Sequence, residues 1–112
     1  MVKNKYIPEQ GDVVWLDFDP TKGHEQKGRR PAFVLSSGKY NKRIGLALFC
    51  PITSVAKTYP FEIPLVSDNI NGVILSDQIK SFDWNKRNLK FISKTRKDIV
   101  LEVVKKVITL IK

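Results

Sequence analysis

Up to about residue 92 the apolar residues come in short runs broken by Gly, Pro, Asn and Ser, and beyond residue 95 their period changes. That change constrains the fold more than any other feature of the chain. Residues 12–18 are rich in β-branched and aromatic side chains, with Val14, Leu16 and Phe18 on one face of a strand and Trp15 and Asp17 on the other. Residues 32–35 read as a buried strand, 38–43 as a polar turn, 44–50 as another apolar strand and 51–59 as a polar loop. Phe61, Ile63 and Leu65 alternate with Glu62 and Pro64. Pro64 cannot donate to a ladder, so that strand lies at an edge or is interrupted. Residues 69–72 signal a turn, 73–79 a further segment of sheet, and 82–84 and 89–92 shorter ones.

The tail is different. Ile99, Val103, Val107 and Ile111 recur every fourth residue, with Val100, Val104 and Ile108 beside them, which is one apolar face of a helix. Thr95 and Asp98 have the spacing of a capping box. Val and Ile are mediocre helix formers, so this helix depends on docking against something apolar. Short strands closed by one helix predict a mainly β (α+β) fold, a small and strongly curved sheet or barrel of antiparallel strands.

The 112 residues form a single domain, and a hydrophobic share of 42% suffices for a modest core. Twenty Lys and Arg against 11 Asp and Glu leave a formal charge of +9, which attracts polyanions, nucleic acid first among them. No apolar run is long enough to span a bilayer, and no lipidation or signal-peptide pattern is evident. Cys50 is a single cysteine and cannot form an internal disulfide. It reads as a small buried hydrophobe in a reducing, cytoplasmic setting. Cys50 and His24 are too few for a zinc site, and no metal or other cofactor is expected.

Function points to the stretch from Gly23 to Pro31. Glu25 stands there among Lys22, Lys27, Arg29 and Arg30, with glycines and prolines that make the segment a loop. A solvated turn is the simpler reading of these residues alone. The alternative is a phosphodiester site, where cations hold the polyanion and the acid moves a proton.

The wider pattern decides between them. Gly11-Asp12-Val13-Val14-Trp15, residues 17–23 (Asp-Phe-Asp-Pro-Thr-Lys-Gly), Glu25-Gln26, Gly28 and Arg30-Pro31 resemble the MazF/PemK family of bacterial toxins. So do Pro51 with Thr53, Tyr59-Pro60-Phe61-Glu62, Gly72, Asp77-Gln78 and Lys80-Ser81. The likeness runs from Tyr6 to about Trp84 and is nearest the MazF branch. It implies an SH3-like barrel with a C-terminal helix, a homodimer, and a type II toxin that cleaves single-stranded RNA at a short sequence. It also implies an acidic, MazE-like antitoxin partner and, through that antitoxin, indirect contact with DNA. PemK/Kid-type relatives carry an arginine two residues before the position of Asp77; here it is Leu75, so catalysis should rest on the first loop.

Metal-independent RNA cleavage needs a base for the 2′-hydroxyl, positive charge for the phosphorane and a proton for the 5′-oxygen. The resemblance makes Glu25 the base, Arg30 the phosphate clamp and Thr53 a hydroxyl donor to the scissile phosphate. An ion pair of Arg30 with Asp17 or Asp19 is the structural alternative. His24 is of a residue type whose ordinary pKa lies near 6.5, and it reads as an exposed loop residue or an accessory proton donor. Lys22, Gln26, Lys27 and Arg29 add RNA attraction, Lys57, Lys80 and Ser81 line the groove, and Asp77 and Gln78 contact base edges or support the site. Tyr40 and Trp84 are stacking candidates, whereas Trp15 reads as sheet packing. Two rival functions remain: a noncatalytic SH3-like or OB-like nucleic-acid-binding module, and a gyrase-poisoning toxin of similar shape. An acid within the cationic loop weakens simple phosphate binding and disfavours the first.

Overall fold

The computed structural model describes residues 6–18, 28–67 and 69–112. The elements are β1 (Asp12–Asp17), β2 (Arg29–Val34), α1 (Gly38–Ile44), β3 (Leu46–Thr53), β4 (Glu62–Val66), β5 (Asn71–Leu75), β6 (Lys80–Asp83), a 3-10 turn (Trp84–Lys86), β7 (Lys90–Lys94) and α2 (Lys97–Ile111). The strands form one curled antiparallel sheet in the order β4-β5-β3-β2-β1-β7, with β6 also on β3. Pro64 falls on β4, an end strand of that path, where a missing donor costs the ladder little.

β3 is the hinge of the curl. One edge pairs with β2, while the other pairs with β6 from Leu46 to Phe49 and with β5 at Ile52 and Thr53. Pro51 lies in the gap between those two partners. It therefore does not end the strand, which runs on to Thr53 instead of stopping at residue 50 as expected. Residues 73–79 likewise are not one strand. β5 begins at Asn71 and stops at Leu75, where Ser76 Oγ and N both donate to the Phe61 carbonyl, at 2.6 and 3.0 Å, and turn the chain.

The sheet is buried on both faces. Val13, Phe33, Cys50, Ile52, Ile63, Leu65 and Ile74 pack with Val103 and Val107 of α2. Val14, Leu16, Ala32, Val34, Ala47, Phe49 and Trp84 form a second core on the opposite side. The register explains the split, since Val13, Phe33 and Cys50 are cross-strand neighbours and so share a face. α2 forms as the tail spacing predicts, although Ile108 and Ile111 remain exposed at its end. Its capping box does not form. Arg96 takes the N-cap position, and Asp98 is engaged by the Arg96 guanidinium at 2.6 and 3.1 Å.

Three further expectations fail. Residues 38–43 are a helix, not a turn. Ser37 Oγ caps it by accepting from Tyr40 N, the buried Asn41 donates to the Pro8 carbonyl at 2.7 Å, and Gly45 closes it in the left-handed region at φ 83°. Trp84 is buried, its Nε1 donating 3.1 Å to the Asn41 carbonyl, because the 3-10 turn points the indole inward. It offers no face to a base. Trp15, expected to pack within the sheet, is 37% exposed, opposite the buried Val14 and Leu16.

Candidate functional site

β1 and β2 are joined by the cationic stretch singled out above, and both ends of that stretch are secured. Phe18 N donates to the Gly28 carbonyl at 2.8 Å, and Asp17 N to the Arg87 carbonyl at 2.9 Å. Arg87 returns two bonds from Nη1, to the carbonyls of Asp17 and Phe18, each 3.2 Å. Its guanidinium lies 4.0 Å over the Phe82 ring, which Phe18 meets edge-on at 5.3 Å. Arg29 is drawn into the same knot, 3.5 Å from the Asp17 carboxylate and donating to the Asn88 carbonyl at 2.9 Å. Lys22, His24, Glu25, Gln26 and Lys27 lie outside the described residues.

Arg30 faces the other way, exposed and without an ion pair among the described residues. It therefore does not pair with Asp17, the partner that Arg29 takes. The sheet register explains what it meets. β2 and β3 pair Ala32 with Pro51, Phe33 with Cys50 and Val34 with Phe49. Extending that register by two residues sets Arg30 across from Thr53. The two line one cleft of about 540 Å³ together with Val55, Lys57, Tyr59, Glu62, Leu75 and Gln78. It holds two cations, two hydroxyls, an amide and one carboxylate, a donor-rich lining suited to phosphate. Thr53 Oγ1 accepts 3.2 Å from Val55 N, which leaves its proton free to donate.

Of the residues selected from sequence, Arg30, Thr53, Lys57 and Gln78 meet in this cleft. Asp77 stands at its border, accepting 2.7 Å from the Tyr59 hydroxyl. That bond is the main reason the Tyr59 phenol is held above its ordinary value. Lys80 and Ser81 are exposed on β6, opposite Phe49 and Leu48, and do not line the cleft. Tyr40 is 40% exposed on α1, also away from it. Tyr59, Glu62 and Arg87 carry roles that sequence reasoning missed. Tyr59 and Glu62 belong to the Tyr-Pro-Phe-Glu run that marks the resemblance, but nothing local assigns them a task.

The toxin family described as PemK-like, MazF-like, of type II toxin-antitoxin systems, matches residues 9–111. The endoribonuclease toxin MazF of Escherichia coli K12 is 50% identical over 84 residues, which span 75% of this chain and 76% of that one. MazF of Deinococcus radiodurans superposes with a TM-score of 0.85 at 44% identity, covering 96% of this chain and 98% of the other. A structure of the MazE-MazF complex from the same organism matches with a TM-score of 0.84 at 40% identity, covering 96% and 97%.

Proposed function

The chain belongs to the PemK/MazF family of type II toxins and is an endoribonuclease of that class, and on that footing we propose that it cuts single-stranded RNA at the Arg30–Thr53 cleft. The observation that carries this reading is the convergence of Arg30, Thr53 and Lys57 beside the secured base of the segment bearing Glu25. Glu25 stands three residues before Gly28 in sequence, close enough along the chain to serve that cleft. In the proposed step Glu25 takes the 2′-hydroxyl proton, and the oxygen attacks the adjacent phosphorus. Arg30 neutralises the charge gathering on the phosphorane, and Thr53 donates to a phosphoryl oxygen. The bond to the 5′-oxygen breaks, and that oxygen takes up a proton at the exposed mouth of the cleft. The products are a 2′,3′-cyclic phosphate and a 5′-hydroxyl. DNA lacks the nucleophile, and duplex RNA holds its sugar out of line.

Lys57 and Gln78 bind RNA around this centre, and Lys22, His24, Gln26 and Lys27 add to RNA binding. The protein works in the cytoplasm as a homodimer. A MazE-like antitoxin blocks it by laying an acidic segment along the same groove, a reading supported by the MazE-MazF complexes of Deinococcus radiodurans. With a charge of +9, that association slows as salt rises.

The test is purified protein and one long unstructured RNA in EDTA. Discrete fragments with 5′-hydroxyl ends are expected, nearly abolished in Glu25→Gln and Arg30→Ala and largely kept in His24→Ala. Binding without fragments, or full activity in Glu25→Gln, would refute the assignment.

A further inference from the structure

Between β3 and β4 the chain runs through residues 54–61, of which 54–58 are all exposed. Ser54, Val55 and Ala56 have little side chain with which to anchor themselves, yet the loop is tied at Val55, Lys57, Thr58 and Tyr59. The Thr53 hydroxyl accepts from Val55 N at 3.2 Å. Glu62 accepts from Lys57 N through Oε2 and from Thr58 N through Oε1, both at 2.8 Å. Glu62 N in turn donates to the Tyr59 carbonyl at 3.0 Å, and the Tyr59 hydroxyl reaches Asp77. Thr58 sits in the left-handed region at φ 60°, a conformation a β-branched residue adopts only when its surroundings enforce it. The carboxylate of Glu62 supplies that enforcement.

Glu62 is also the carboxylate placed in the cleft with Arg30 and Thr53. It makes no ion pair with Arg30 or Lys57 among the described residues, and both its oxygens are engaged by main-chain amides. A group so occupied is badly placed to collect a substrate proton and well placed to hold a loop.

We propose that Glu62 is a positioning residue that locks residues 54–58 into a preformed rim, and that this rim selects which nucleotides enter beside the scissile phosphate. Val55, 63% exposed at the lip of the cleft, is the apolar contact the rim offers to a base. A rim ordered in advance loses little entropy on binding, so a mismatched base that fits poorly is not rescued by loop adjustment. This inference rests on reading the cleft as the RNA site, but it concerns selection and not proton transfer.

Glu62→Gln tests it. Glutamine keeps the size but offers one acceptor where two are needed, and turns an NH2 toward an amide N–H. Amide exchange at Lys57 and Thr58 should then quicken by about tenfold or more. Preference for the cognate site over single-base variants should fall by about tenfold, with KM rising more than kcat falls. The acid limb of the pH–rate profile should persist. Tyr59→Phe removes the hydroxyl that reaches Asp77 and Gln78 while leaving both Glu62 bonds, and should give a smaller loss in the same direction, so the inference stays testable if the Gln variant folds poorly. Discrimination is also read as affinity for 2′-O-methyl oligonucleotides, which cannot be cut. Wild-type protein that binds selectively but does not cleave would sink the catalytic reading and leave this one standing. Unchanged discrimination in Glu62→Gln would overturn the rim. So would loss of the acid limb, which would make Glu62 the base.

Discussion

Gly72 offers the sharpest quantitative test of how the fold holds Thr53. β5 crosses β3 so closely there that a Cβ on residue 72 would lie 2.5 Å from the Thr53 carbonyl oxygen and 3.2 Å from Ile52 Cγ2. Carbon meets oxygen comfortably no nearer than about 3.3 Å, so in Gly72→Ala the strands must part by about 0.8 Å. Neither contact at Thr53 is the end of a flexible side chain; both its O and its carbonyl carbon, the latter at 3.2 Å, are backbone. Overpacking of this kind costs about 1–3 kcal/mol. With an unfolding entropy of about 2.1 cal/mol/K per residue, the thermal midpoint should fall by about 4–13 °C. The displacement falls on the residue assigned to the scissile phosphate, and a misplacement near 1 Å costs roughly tenfold to a hundredfold in kcat. Gly45→Ala is the control. It also imposes strain, at φ 83°, but its Cβ would meet nothing within 4 Å, and it lies at the end of α1 away from the cleft. It should lose about 1–2 kcal/mol and keep its cleavage rate. The assay is thermal unfolding beside single-turnover cleavage of one oligonucleotide, well below both midpoints. A Gly72→Ala protein with wild-type stability and rate, or one no slower than Gly45→Ala, would refute the reasoning.

Arg87→Ala should destabilise by about 1–3 kcal/mol by removing two carbonyl bonds and a stacked cation, and should slow cleavage because the base of the first loop loses its anchor; Arg87→Lys should not rescue either, since an ammonium has no planar face to lay over Phe82 while it donates to both carbonyls. A variant that melts early yet cuts at the wild-type rate would separate the anchor from the chemistry. Burial, with the Asp77 charge adding to it, pushes the Cys50 thiol up to about 12 from 9.0, so maleimide at pH 8 should label it only after denaturation. Because the folded value is the higher one, this contribution to stability is complete below the ordinary thiol range and is lost as pH rises from there through about 12; alkaline melting should therefore be shallower in Cys50→Ala. Asp12 is 1% exposed and accepts from the Tyr6 hydroxyl, from Glu9 N at 3.0 Å and from Lys94 Nζ at 2.8 Å. Asp12→Asn should cost about 2–4 kcal/mol in a urea melt while leaving low-temperature cleavage intact, and a neutral result would show that these bonds merely replace water.

What was readable in the chain was local. The tail period sets a helix face, and Val103 and Val107 are indeed the residues it buries. Pro64 announces an edge strand because a missing N–H matters wherever the strand is placed. Arg30 was selected from its loop, and the structure finds it exposed in the cleft. Helix α1 was missed because seven residues are too few to show an apolar period, although Ser37 and Gly45 bracket it with recognisable caps. Trp84 was misread because a tryptophan between polar neighbours looks exposed until its indole finds the Asn41 carbonyl.

Sequence alone determined the mainly β character, the closing helix, the positive charge and the family. Tertiary structure decided which side chains share a site. Arg30 and Thr53 lie far apart in the chain and meet because β2 and β3 pair in one register; a slip of one residue would send every side chain of a strand to the other face. Glu62 became a loop clamp in the same way, through its reach to two amides that only the folded turn aligns. Propensity and pattern act over a few residues, whereas register and hydrogen-bond closure belong to the packed sheet as a whole.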